Sequence, residues 1–336
     1  MPFENNIVVW IIVTVAAVIL LLALLALVIY RFAYNSFRST FARPEPRPPY
    51  DKSPLSIPQD TIFGRGQNWF YSNRMDFMNV QMTTFDGIKL FAYYRPAQKS
   101  TTTDVVILLH GWRDQPSIMA AYAELHLEKH DCHILIPHMR AHGMSQGKFI
   151  GYGLFDSQDV ILWMQYLERH LKAPLRIVLH GRSMGAATAL MVAGSGKAPS
   201  SLAGVIADSS FDSLESEMMH LMKKRLGFRS RAFLMLVSRI ARRKIHFPVE
   251  QASPAQFASR IRVPVLLFHG TDDHFIPLEM SENIYNRITA PKRYVQIEGA
   301  KHVMSYHVAP SRYSEEVGKF LSILTEKKTI FPMSGY

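Results

Sequence analysis

The chain has 336 residues, of which 48% are hydrophobic and 19% charged, and its formal net charge is +11. This composition supplies a core and excludes global disorder, and a single cysteine, Cys132, excludes an intrachain disulfide. Length alone fits either two average domains or one large α/β domain with an insertion.

From Ile7 to Tyr30 no charged residue occurs, and a helix rising about 1.5 Å per residue crosses a hydrocarbon core of roughly 30 Å over such a run. A secretory signal has a shorter apolar region, about 7–15 residues, behind a basic start. Here Glu4 precedes the run, while Tyr30, Arg31, Phe32 and Tyr34 close it. A single transmembrane helix over residues 7–30 is therefore expected. Arg31, Arg38, Arg43, Arg47 and Lys52 follow the span and no Lys or Arg precedes it, an asymmetry that places the rest of the chain on the cytoplasmic face. Pro44, Pro46, Pro48, Pro49, Pro54 and Pro58 then forbid regular structure. Residues 31–74 read as a stalk that holds a folded domain off the bilayer.

The folded domain is expected over residues 75–325, with a tail over 326–336. Met78–Thr83 and Ile88–Tyr93 alternate about an Asp86-Gly87 turn, as a β-hairpin does. Beyond it come short apolar runs, Val105–Leu109, Ile134–Ile136, Ile177–Leu179, Val205–Ala207, Val265–Phe268 and Tyr294–Ile297. Such runs suit parallel strands covered on both faces. Helical stretches such as Met119–Lys129, Phe155–His170 and Met184–Ala193 separate them. This β-α order predicts an α/β fold with one doubly wound, mostly parallel sheet. The order lapses over residues 209–260, which read as a helical cap inserted over the sheet edge where sites form. Cys132 opens the apolar run Cys132–Ile136 and reads as a buried small hydrophobe.

Within Arg176–Ala187 an apolar strand runs into Gly181-Arg182-Ser183-Met184-Gly185 and then into a helix of small residues. A serine hydroxyl becomes a useful nucleophile when a tight, strained turn projects it towards a base. Glycines two before and two after it let strand and helix approach. The helix N-terminus also brings backbone N–H groups to developing negative charge. Ser183 is accordingly the candidate nucleophile.

At these residues the chain resembles the α/β-hydrolase superfamily over roughly Met75 to Leu324. More narrowly, it is similar to membrane-anchored bacterial serine hydrolases related to serine aminopeptidases and acyl-protein thioesterases. The resemblance implies a triad in the order serine, acid, histidine. Gly270–Pro277 matches the acid loop and places the acid at Asp273, beside Asp272, and Glu298–His302 matches the loop that carries the base, His302. Asp208 is a second possible acid, since some members draw theirs from that position. The implied oxyanion donors are the N–H groups of Met184 and of Trp112, in the loop His110–Arg113. Ser145–Gly153 also matches the narrower group. Pro137–Gly143 departs from the pattern, because an Asp usual at that strand end is missing, which leaves Arg140 without its expected carboxylate partner.

The resemblance implies hydrolysis of a carboxylic ester or thioester, with no cofactor and no metal. An aminopeptidase- or amidase-like activity is the enzymatic alternative, and a non-catalytic membrane-anchored scaffold is the other. His110, His126, His130, His133, His138 and His142 lack recognised metal-ligand spacing, and a structural or surface role is expected of each.

Between Met218 and Val249 stand nine Lys or Arg residues and no acid. Phe233, Leu236, Val237 and Ile240 recur among them at helical spacing. This fits an amphipathic helix at an anionic membrane surface, or one whose apolar stripe packs on the domain beneath solvated charges. The expected partners are a small-molecule or acyl substrate and the membrane. Nucleic acid is not among them, because no nucleic-acid module is visible.

Overall fold

The computed structural model describes residues 2–44, 58 and 60–325, so most of the proline-dense stretch and the tail over 326–336 lie outside the described residues. The first helix, α1 (Pro2–Phe41), does not stop at Tyr30. No Pro or Gly interrupts residues 31–41, and Ala33, Phe37 and Phe41 recur every four residues and are buried against the domain. Burying Phe37 and Phe41 contributes on the order of 3–6 kcal/mol to that docking. The far end of the expected stalk is also helical. α2 (Ile62–Ser72) is capped by the Thr61 side chain, which accepts from the Gly64 N–H. Its Gly66 lies so close to α3 (Ala120–Lys129) that a Cβ there would sit 2.6 Å from the Ala121 backbone. The reading of 31–74 as a linker is thus corrected at both ends: amphipathic spacing outweighs the nearby prolines, and both segments join the core.

The hairpin strands are β1 (Met78–Thr83) and β2 (Lys89–Arg95), and Gly87 takes the left-handed turn conformation between them. There follow β3 (Asp104–Leu109), β4 (His133–Pro137), α4 (Asp156–Leu171), β5 (Arg176–Arg182), α5 (Met184–Gly194) and β6 (Leu202–Asp208). After an excursion come β7 (Val265–Gly270), α9 (Leu278–Arg287), β8 (Lys292–Ile297), α10 (Ser305–Val308) and α11 (Pro310–Thr325). Among the described residues the eight strands form one sheet in the order β1-β2-β4-β3-β5-β6-β7-β8. β2 runs antiparallel to both neighbours and every pairing from β4 to β8 is parallel. Alternate strand residues point to opposite faces. Val105, Ile107 and Leu109 pack with α4 and α5, whereas Val106 and Leu108 pack with α2, α3 and α11. Both faces are covered, which is why the strands read as unbroken apolar runs.

The excursion holds α6 (Leu214–Leu226), α7 (Arg231–Ile245) and α8 (Pro254–Ala258). The cap expected over 209–260 divides here. α8 packs on α5, where a Cβ on Gly194 would lie 2.3 Å from the Phe257 carbonyl oxygen, so only α6 and α7 project beside the site. Leu234, Val237, Ile240 and Ala241 of α7 are buried, and Phe233 meets Phe32 of α1 with ring centroids 5.2 Å apart. The apolar stripe of α7 therefore faces the domain and α1. The cations Arg239, Arg242, Arg243 and Lys244 are exposed.

Candidate active site

Parallel strands and right-handed crossovers bring the ends of β5, β7 and β8 to one edge of the sheet. Ser183 sits between β5 and α5 with φ 52° and ψ −120°, a conformation that costs a non-glycine residue about 1–3 kcal/mol. Its two flanking glycines are sterically required. A Cβ on Gly181 would lie 2.2 Å from the Gly185 carbonyl oxygen, and one on Gly185 would lie 2.0 Å from that of Leu109.

His302 Nε2 is 3.0 Å from Ser183 Oγ, and His302 Nδ1 is 2.7 Å from Asp273 Oδ2. With Nδ1–H donated to the carboxylate, Nε2 is left to accept the serine proton. The other Asp273 oxygen accepts the N–H groups of Phe275 and Ile276, each at 2.9 Å. Burial alone would raise the Asp273 pKa, but His269 and His302 offset it and hold the carboxyl well below the usual range. His269 Nε2 is 3.3 Å from Asp273 Oδ2, and its Nδ1 lies 2.6 Å from Ser281 Oγ. Sequence reasoning missed His269. Its only signal there was a polar residue near the end of an apolar strand, four residues before the acid.

Asp272 is exposed. The structure brings Asp273, and not its neighbour, to the imidazole. Asp208 is fully buried and holds backbone instead. Its carbonyl accepts from the Ser183 N–H at 2.8 Å, and its carboxylate accepts from Ser209 Oγ at 2.9 Å and Ser305 Oγ at 3.3 Å. It thereby ties the serine turn to the segment that follows His302.

The loop after β3 abuts the serine: a Cβ on Gly111 would lie 3.3 Å from Ser183 Cβ. No acceptor for the backbone N–H of Trp112 or Met184 occurs among the described residues. Arg113, at φ 57°, donates its N–H to His142 Nε2 at 3.0 Å, and His142 Nδ1–H donates to the Arg140 carbonyl at 2.8 Å. His110 similarly joins the Gly111 carbonyl at 2.9 Å to the Met139 N–H at 3.1 Å. Burial pushes the His110 pKa down to about 4 and that of His142 down to about 3. These histidines are neutral connectors between loops.

Arg140 has its carboxylates after all. Asp159 on α4 receives its Nε at 2.9 Å and Nη2 at 2.7 Å, and Asp86 in the β1–β2 turn receives Nη1 at 2.6 Å. The missing strand-end Asp is replaced from elements distant in sequence, which spacing along one loop cannot reveal.

Two further groups border the site. The Thr40 carbonyl of α1 accepts from Trp112 Nε1 at 3.2 Å and from the Tyr152 hydroxyl at 3.0 Å. Glu217 of α6 is buried, and burial, with Asp273 nearby, pushes its pKa up to about 8. Its Oε2 has no hydrogen-bond partner among the described residues.

An eight-stranded sheet of this order, with a strained serine turn at its carboxyl edge, defines an α/β-hydrolase fold. The chain belongs to the alpha/beta hydrolase family, whose model matches residues 106–316. It is 27% identical to the uncharacterized protein YqkD of Bacillus subtilis over 225 residues, 67% of this chain and 73% of that protein. Among solved structures it is similar to the Pyrococcus furiosus esterase Pf2001, at TM-score 0.58 and 22% identity over 74% of this chain and 91% of that one. It is also similar to the Pyrococcus horikoshii acylaminoacyl peptidase, at TM-score 0.54 and 16% identity over 77% of this chain and 43% of that one.

Proposed function

We propose that the protein is a membrane-anchored serine hydrolase that cleaves a carboxylic ester or thioester through an acyl-enzyme on Ser183. The observation that carries this reading is the unbroken hydrogen-bonded chain Ser183–His302–Asp273, at 3.0 and 2.7 Å. Ser183 Oγ attacks the acyl carbonyl while His302 Nε2 takes its proton, and Asp273 fixes the imidazole tautomer and stabilises its charged form. The N–H groups of Trp112 and Met184 receive the developing oxyanion. His302 returns the proton to the departing alcohol or thiol. Water then attacks the acyl-Ser183 carbonyl with His302 as base, releasing the acid and restoring the serine. The chain supplies every group in this route.

Among the described residues α1 is the one helix long and apolar enough to cross a membrane. In this proposal residues 7–30 span the bilayer and the Arg31 side faces the cytoplasm. The test is a fluorophosphonate probe applied to the full chain, followed by a panel of ester, thioester and peptide substrates. Covalent labelling of Ser183, lost in Ser183→Ala, with ester or thioester turnover is expected. Full labelling of the variant would overturn the assignment of the nucleophile, and turnover confined to peptides would replace the esterase reading with the peptidase one.

A further inference from the structure

We infer that the cleft between α1 and the α6–α7 hairpin holds the acyl chain of a bilayer amphiphile, so that the substrate reaches Ser183 laterally from the membrane. This rests on the membrane-anchored serine hydrolase reading above and names its substrate class.

The cleft has a volume of about 280 Å³, at the lower end of the roughly 300–1,000 Å³ of small-molecule sites. That suits one chain rather than a folded peptide. Phe32, Ser36 and Thr40 of α1 form one wall, and Met218, Leu221 and Phe233 form much of the other. Phe32, Ser36 and Thr40 are four residues apart and share a face of α1. The adjacent face, Ala33, Phe37 and Phe41, is the one glued to the domain. The helix therefore has two neighbouring stripes, one that packs and one whose small hydroxyl residues leave space.

Two observations choose a membrane amphiphile as the occupant. The cleft begins at Phe32, directly after the charge-free run over 7–30, and ends at Thr40, whose carbonyl binds the Trp112 and Tyr152 side chains. From Phe32 to Thr40 the helix rises about 12 Å, so a partly apolar cleft runs from the end of the charge-free run to Thr40, whose carbonyl holds the Trp112 side chain of the loop beside Ser183. Leu226 of the cleft and nearby Phe228 are exposed, 42% and 56%, among Lys223, Arg225 and Arg229. Exposed apolar side chains ringed by cations are what an interfacial segment presents to acyl chains and anionic headgroups.

The test uses the full chain reconstituted in phosphatidylcholine vesicles that carry a diazirine-tagged lysophosphatidylcholine. Irradiation is expected to place adducts on the stretches 218–226 and 231–237 as well as along residues 7–30, in the parent and in Ser183→Ala alike. Ser36→Trp fills the cleft and should remove the 218–237 adducts while leaving those on 7–30, and Asn35→Trp, at an exposed position of α1 outside the cleft, should behave as the parent. Adducts confined to 7–30 in the parent overturn the inference. Because this readout needs no turnover, cleft labelling without hydrolysis of any ester would uphold the cleft and overturn the hydrolase reading instead. In the activity arm, Ser36→Trp should lower kcat/KM for a decanoyl ester about tenfold or more and spare the acetyl ester. Equal losses on both esters overturn the inference.

Discussion

The edge that carries Ser183 and the junction where α1 docks are held together differently. At the edge, positions are set by backbone contacts with no slack: two glycines whose Cβ atoms would strike main chain, a carboxylate clamped by two N–H groups, and a serine turn tied to β6. At the junction, aromatic rings meet at centroid distances of 5.1–5.8 Å, as Phe41 does with Tyr152 and Phe247, and Phe37 with Phe149. One region is specified by hydrogen-bond geometry and the other by volume. Substitutions should therefore fail for different reasons in the two places, through turnover in the first and through stability in the second.

The largest effect is expected at the edge. Asp273→Asn should lower kcat about 10⁴-fold with the fold intact, because His302 loses the partner that sets its tautomer. Asp272→Asn, at an exposed site, should leave turnover close to the parent's. Comparable losses in a steady-state ester assay would break the distinction between the two carboxylates.

Phe41→Ala should instead cost about 3–5 kcal/mol of stability, read as a lowered unfolding temperature in detergent. Arg38→Ala, exposed on the same helix, should change it within about 0.5 kcal/mol. If Phe41→Ala unfolds like the parent, the junction is not part of the core.

Glu217, buried on α6, lies near enough to Asp273 to feel its charge. In an unfolded chain a glutamate ionises near about pH 4.3, whereas in the fold Glu217 holds its proton to about pH 8. Between these values the folded state binds one proton more than the unfolded state, so this group makes stability fall as pH rises from about 4.3 to 8 and level off above that. Glu217→Gln removes the slope. Its unfolding temperature should exceed the parent's near pH 8, by the equivalent of something on the order of 5 kcal/mol, and match it near pH 4. A difference that does not vary with pH would show that the carboxyl is ionised in the fold.

The smallest effect concerns the exposed cations of α7. A chain beginning at Arg31 keeps the docked turns of α1, and its binding to anionic vesicles should weaken with salt. Replacing Arg239, Arg242, Arg243 and Lys244 with Gln should cost up to about 1 kcal/mol for each cation near the surface. Sedimentation unaffected by anionic lipid would show that these cations do not bind a membrane surface.

The two regions also differed in how they could be read from sequence. Ser183, Asp273 and His302 each lie in a short motif at the end of an apolar strand, and for Asp273 and His302 it is the family resemblance that picks those motifs out. Phe37 and Phe41 lie between a charge-free span and a proline-dense stretch, and their burial depends on Tyr152, Phe149 and Phe247, which are more than a hundred residues away. The same holds for Arg140, whose carboxylates come from a turn and a helix on either side of it in the chain. The histidines gave only a negative signal, the want of ligand spacing; their work as neutral bridges became visible once the loops they join were in place.

The unbroken course of α1 from the charge-free run into the domain has a mechanical consequence. If residues 7–30 span a bilayer as proposed, a flexible tether would let the catalytic edge sample many heights and tilts above it, whereas a continuous helix ties the height and tilt of that edge to those of the span. It acts as a depth gauge with a graduation of about 1.5 Å per residue. Each residue inserted or removed between Tyr30 and Ala33 changes the height of Ser183 by one graduation and turns the span by about 100° relative to the docked domain. For a hydrolase fed from the bilayer, that setting selects which bond along an amphiphile, near the headgroup or deeper in the chain, lies level with the nucleophile.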